Sequence, residues 1–181
     1  AAELYAVQSI TVTGTVSGTQ DLTVGPSTPA TPDISFNGNV GTALLTPLGA
    51  ITIANGYDVT FGGNVSAASI TQDTGANSTT FTGNVATTGA ILITDGYDIT
   101  FSGTVNAASI TQTNGANSTT FAGDVTTTGA DGIAINATNI ALDGLTMKAT
   151  AAAANIALDG TVTLSGGAVN IEAGNSITVD G

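Results

Sequence analysis

Apolar side chains recur at every second position in a series of short segments: Ile51-Thr52-Ile53, Val59-Thr60-Phe61, Ile91-Leu92-Ile93, Ile99-Thr100-Phe101, Val162-Thr163-Leu164 and Ile177-Thr178-Val179. Period two marks a strand with one buried face, and the prevalence of β-branched Ile and Val favours the same assignment. Turn formers separate the segments at Asn55-Gly56, Gly62-Gly63, Asp95-Gly96, Asp143-Gly144 and Asp159-Gly160. The pattern predicts an all-β chain of short strands joined by tight corners.

These segments repeat. Residues 51–90 align without gaps on 91–130 at 28 of 40 positions, which is a duplication. Inside each 40-residue unit a 20-residue echo survives, in the first at 5 of 20 positions, Thr60-Phe61, Gly63, Asn64 and Val65 returning as Thr80-Phe81, Gly83, Asn84 and Val85. The motif Phe-x-Gly-x-Val occurs at 36–40, 61–65, 81–85, 101–105 and 121–125, and it holds all five Phe of the chain. Units this small cannot bury a core singly, so they must stack. The expected fold is a parallel β-helix (β-solenoid) of about nine coils, each of about 20 residues with two or three strands, spaced roughly 4.8 Å apart. Phe36, Phe61, Phe81, Phe101 and Phe121 are expected to form a core ladder, one ring per coil, with the motif Gly relaxing a bend. Outward Thr would hydrogen-bond along the stack, and Asn would tolerate left-handed corners. The half-repeats disagree ahead of the Thr-Phe segment, where Ile51 and Ile53 align with Thr71 and Asp73. Either a corner bulge restores the alternation or the true unit is the 40-residue pair.

Along the chain, residues 1–23 read as a lead-in of strand material, and 24–34, which hold three of the four Pro, read as a loop. Residues 35–130 are the regular coils, with an inserted corner around Leu44-Leu45-Thr46-Pro47-Leu48 that accommodates the 25-residue step from Phe36 to Phe61. In 131–181 the hexapeptide Asn139-Ile140-Ala141-Leu142-Asp143-Gly144 returns at 155–160, a spacing of 16, so smaller or irregular coils are expected there. Between the two copies, 147–154 has helix propensity without an amphipathic stripe and is a candidate short helix. No Met or basic leader precedes Ala1, as expected of a mature product or of a piece of a longer chain.

Composition narrows the chemistry. The 181 residues include no Cys and no His, and Lys148 is the single base against 13 acids, for a net charge of −12. One cation cannot neutralise a phosphate backbone, so a nucleic-acid partner is not expected. Without thiol or imidazole most nucleophilic, metal-hydrolytic and redox chemistry is out of reach, and paired carboxylates for glycosidic bonds would want an Arg that the chain lacks. An enzyme is not expected. Charged residues are only 8% while apolar ones are 41%, the reverse of a disordered composition. No apolar run approaches a membrane span.

The stretches Gly14-Thr15-Val16-Ser17-Gly18-Thr19-Gln20-Asp21-Leu22-Thr23-Val24, Ile34-Ser35-Phe36-Asn37-Gly38-Asn39-Val40 and Thr46-Pro47-Leu48-Gly49-Ala50-Ile51-Thr52-Ile53 resemble the repeat regions of very large secreted bacterial surface proteins of the filamentous-haemagglutinin-like and autotransporter-adhesin type. The resemblance covers most of residues 9–130 and is one of repeat style. It implies a right-handed parallel β-helix exported to the cell exterior as a stalk, filament or adhesive surface. No secretion domain, membrane barrel or dedicated binding domain is discernible in the sequence.

Several surface groups are candidates for contact. Tyr57 and Tyr97 follow the turn Gly and alternate with Asn77 and Asn117 at the equivalent coil position, as packed corners or as a surface for glycan or host. Asp58 and Asp98 offer hard oxygen ligands for calcium, but in a 20-residue register they lie two coils, or roughly 9.6 Å, apart. Solvated corner carboxylates are the simpler reading. Rows at Thr79-Thr80, Thr87-Thr88, Thr119-Thr120 and Thr126-Thr127-Thr128 could form a hydroxyl lattice, and Lys148 could donate an isopeptide bond or sit solvated at a corner. The functional expectation is a non-enzymatic segment or subunit of a secreted or cell-surface filament, stalk or adhesin, self-associating or continuing into a longer chain. The alternative is an adhesin module whose Thr, Asn and Tyr rows bind glycan or host surface.

Overall fold

Short alternating segments cannot close hydrogen bonds internally, so each strand must find its partners in the coils above and below it. The computed structural model describes residues 1–25, 31–42, 47–75 and 77–181. Among them are twenty strands and no helix, and every pairing is parallel. The chain is a β-solenoid of about eight turns, one fewer than the nine expected, because the coils average about 21 residues and some are longer.

Three parallel ladders run along the stack. The first joins Leu22, Ile51, Ile70, Ile91, Ile110, Ile133, Ile156 and Ile177 in register. The second joins Val12, Phe36, Phe61, Phe81, Phe101, Phe121, Leu142 and Leu164. The third joins Val16, Val40, Val65, Val85, Val105, Val125, Met147 and Ile171. Their inward side chains form one continuous core in which Ile51, Phe61 and Val105 are among the residues completely removed from solvent.

The five phenyl rings stack as a column, with centroids 5.1, 4.9, 4.9 and 5.2 Å apart and planes within 8° of parallel. The ladder imposes this spacing. Because ring carbons touch at about 3.5–4.0 Å, parallel rings with centroids this far apart slide into the offset-stacked arrangement that the ring quadrupole favours.

The motif Gly has a different role from the bend expected of it. A Cβ on Gly83 would lie 2.6 Å from the carbonyl carbon and oxygen of Gly63, and one on Gly103 would meet Gly83 at the same distances. Glycine stands on glycine here because the corner backbones of adjacent coils approach too closely for any side chain between them.

The disagreement between half-repeats resolves into alternating steps. Ile51 pairs with Ile70 and Ile53 with Gln72, not with Thr71 and Asp73, and Ile70 then pairs with Ile91. Steps of 19 and 21 residues make up the 40-residue unit. The missing residue reappears at the next corner, which carries one more residue between core positions in Gln72–Thr79 than in Ile53–Val59. A bulge absorbs it, with the amides of Asn77 and Ser78 both donating to the Tyr57 carbonyl at 3.1 Å.

The expected short helix at 147–154 does not form. Thr146–Ala149 is a strand, Met147 and Ala149 are buried while Lys148 between them is exposed, and 151–153 form a turn. Period-two burial against Val125 and Thr127 outweighs the helix propensity of Ala. Nor do the coils shrink after 130. The two hexapeptides occupy different ladders, Asn139–Leu142 pairing with Ser118–Phe121 on the second and Ile156–Asp159 pairing with Ile133–Asn136 on the first. Successive rungs there lie 21 to 24 residues apart, as in Ile156 to Ile177, Ile140 to Val162 and Met147 to Ile171. The centre of the Pro-rich segment, 26–30, and most of the inserted corner, 43–46, lie outside the described residues.

Candidate functional site

Each carboxylate of the candidate calcium pair is engaged by the coil above it. Asp58 Oδ1 accepts from Asn77 Nδ2 at 2.8 Å and from Ser78 Oγ at 2.5 Å, and Asp98 Oδ1 accepts from Asn117 Nδ2 and Ser118 Oγ at the same distances. Asp58 and Asp98 are not brought together, since Ser78 lies between them in the ladder. Among the described residues no group of three or more acidic side chains is placed to hold a metal ion. Tyr57 and Tyr97 project from this corner, each 45% exposed, while Asn77 and Asn117 turn sideways to their Asp partners. The four residues make a hydrogen-bonded corner with two projecting rings.

The Thr rows divide between outside and inside. Thr60, Thr80, Thr100 and Thr120 form one outward rank along the second ladder. Thr79, Thr119 and Thr127 point into the core, contrary to a reading of the Thr pairs as surface lattice. Their burial follows from the register, because Thr79 occupies the position of Val59 and Ile99. The rank two residues earlier is Asp58, Ser78, Asp98 and Ser118, so the outer face combines hydroxyls with carboxylates.

Corner Asn residues act between coils. Asn39 Oδ1 accepts the Asn64 amide at 2.8 Å, Asn64 Oδ1 the Asn84 amide at 2.9 Å, and Asn84 Oδ1 the Thr104 amide at 3.0 Å. Asp124 continues the role, accepting the Thr146 amide at 2.8 Å. Lys148 lies mid-strand, not at a corner, and its Nζ is 2.7 Å from Glu172 Oε2, the register partner in the next coil. The hydrogen bonds from Lys148 and then Asn170, with the Lys148 charge, hold the Glu172 carboxyl below its ordinary range.

Two features escaped the sequence reading. Gln72 and Thr79 are each 1% exposed, and Thr79 Oγ1 donates to Gln72 Oε1 at 2.8 Å across the inside of the bulged corner. Gln112 and Thr119 repeat the pair at 2.6 Å. The signal was present, since Gln72 follows Ile70 at period two. The other is a cleft on the outer side of the third ladder, with volumes of about 230 and 160 Å³ meeting over Ser66 and Ala86.

No family model matches this chain, no curated protein matches it, and no solved structure matches it. The arrangement offers hydroxyl, amide and carboxylate surfaces on a stacked scaffold.

Proposed function

We propose that the chain is a non-enzymatic structural segment or subunit of a secreted or cell-surface filament, stalk or adhesin, of the filamentous-haemagglutinin-like or autotransporter type. It works by β-solenoid stacking and by end-to-end or lateral association. The observation that carries this reading is the unbroken coil-on-coil core: three parallel ladders and a five-ring column run along one axis, so tension is distributed over many hydrogen bonds. The apolar side chains of the last rung support stacking contact at that end, where Leu164 is 60%, Val179 55% and Ile177 46% exposed. Either another copy or further coils of a longer chain would cover them.

Negative-stain microscopy of purified protein across a concentration series tests the association. Rods that lengthen with concentration, and that Leu164→Asp with Val179→Asp keeps short, are the expected result. Monodisperse particles of single-chain length at the highest concentration overturn it. Protease shaving of intact producing cells tests the location, surface release of the chain being expected.

A further inference from the structure

The cleft outside the third ladder has the makings of a ligand site. Ala67 and Ala86 form its floor with Pro47 on one side, and Ser66, Thr87 and Asn106 supply polar groups. Asn39, Asn64 and Asn84 border the adjoining hollow. Their Oδ1 atoms already accept the amides of the next coil, so each side-chain amide is held in place, with its NH₂ as the group left to donate outward.

Ser66 sharpens the case. It is only 8% exposed, it lines both hollows, and among the described residues no group hydrogen-bonds its hydroxyl. It is not among the hydroxyls shut away from solvent, as Thr127 is, so within the cleft it is open to a ligand as donor and acceptor.

We propose that this cleft is a binding site for a neutral saccharide, occupied by two linked sugar rings lying along the solenoid axis. Charge selects the class. None of the described lining residues is ionisable, although the chain carries a net charge of −12. An anionic ligand meets an adverse field with no compensating cation, and a cationic ligand finds no counter-charge within the cleft. Volume sets the size. Each hollow is smaller than the roughly 300–1,000 Å³ of drug-sized sites, which fits single rings in two joined subsites. Composition matches the sugar surface, since the Ala and Pro floor receives ring C–H groups while hydroxyls and amides meet ring hydroxyls. With no aromatic platform among the described lining residues, affinity falls in the millimolar range. The site does not rest on the stalk reading, and its failure leaves that reading standing.

The experiment is an amide NMR titration of the isotope-labelled chain with cellobiose, lactose and maltose, and with digalacturonate and chitobiosamine as charged counterparts. Saturable shifts confined to residues 64–67, 84–88 and 104–106 with at least one neutral disaccharide are expected. Ala86→Leu fills the floor from an exposed strand position and should weaken binding at least tenfold with an unchanged thermal midpoint. Ser66→Ala should weaken it several-fold. Absence of saturable shifts with all three neutral disaccharides overturns the proposal. So do equal binding of the charged counterparts and unaltered binding by a folded Ala86→Leu chain.

Discussion

Replacing Thr79 by Val keeps the shape of the side chain and removes only its hydroxyl. That hydroxyl donates to Gln72 Oε1 at 2.8 Å with both residues 1% exposed, so its loss leaves a buried acceptor unpaired. Such a group costs about 1–3 kcal/mol, and for a chain of this size about 2 kcal/mol corresponds to roughly 4–8 °C in Tm. The same substitution at Thr127 should have the opposite sign. Thr127 is completely buried and its Oγ1 has no hydrogen-bond partner among the described residues, so Val removes an unsatisfied group and stabilises by about 1 kcal/mol. The double change Gln72→Leu with Thr79→Val removes both members of the pair and gives this coil apolar side chains like those of its neighbours, Ile53 with Val59 and Ile93 with Ile99. Because Gln72 Nε2 also donates to the Asp95 carbonyl at 3.0 Å, a bond the double change gives up, it should restore only part of the stability lost by Thr79→Val alone. Thermal unfolding by circular dichroism, supported by urea midpoints at constant m, reads all three. Equal effects of Thr→Val at positions 79 and 127, or a double variant no better than Thr79→Val, would refute the assignment of a satisfied pair at one site and an orphan at the other.

Phe81→Ala, in the middle of the ring column with neighbours at 4.9 Å on both sides, should cost about 3–5 kcal/mol by the same thermal assay. Gly83→Ala should destabilise by about 1–3 kcal/mol because its Cβ would strike Gly63 backbone. Gly14→Ala occupies the same motif position at the first coil with nothing within 4 Å of its Cβ, and should stay within about 0.5 kcal/mol of wild type. The Glu172 carboxyl titrates below its unfolded value, so its contribution is present above that value and disappears as pH falls through the folded one. Carboxyl NMR titration should find the Glu172 midpoint below that of an ordinary glutamate, and Lys148→Gln should raise it; an unmoved midpoint counts against the pair. Since both side chains are nearly half exposed, Lys148→Gln should barely move Tm.

Legibility followed periodicity. The ring column could be read because every Phe sits in Phe-x-Gly-x-Val and four of the five motifs are spaced by 20. The first ladder could not, because a fixed window of 20 misplaces Ile70 by one residue. In a period-two element a single slip exchanges the inner and outer faces. Gln72 was overlooked for the same reason, as the window assigned core positions to Thr71 and Asp73. Asn139–Leu142 and 155–158 misled because an identical apolar-alternating string fits any ladder of a solenoid, and only the length of the intervening corner decides which. The cleft leaves no mark in a linear sequence, since its walls come from several coils separated by about 20 residues each.

Alternation between the two kinds of coil also explains how so acidic a chain stacks at all. Were every coil alike, Asp58 would repeat at the ladder spacing of roughly 4.8 Å and like charges would face each other along the rod. Ser78 and Ser118 instead occupy every second place, setting Asp58 and Asp98 roughly 9.6 Å apart, about the Debye length at physiological salt. The intervening hydroxyls and the Asn amides do more than dilute charge, because each donates to the carboxylate below it. The bulge that brings Asn77 to this corner also brings Thr79 to Gln72 inside it, so one inserted residue serves the core and the surface together. Two coils, not one, are the unit in which core polarity, corner length and surface charge are all balanced. This agrees with the sequence, where identity is high over 40 residues and low over 20.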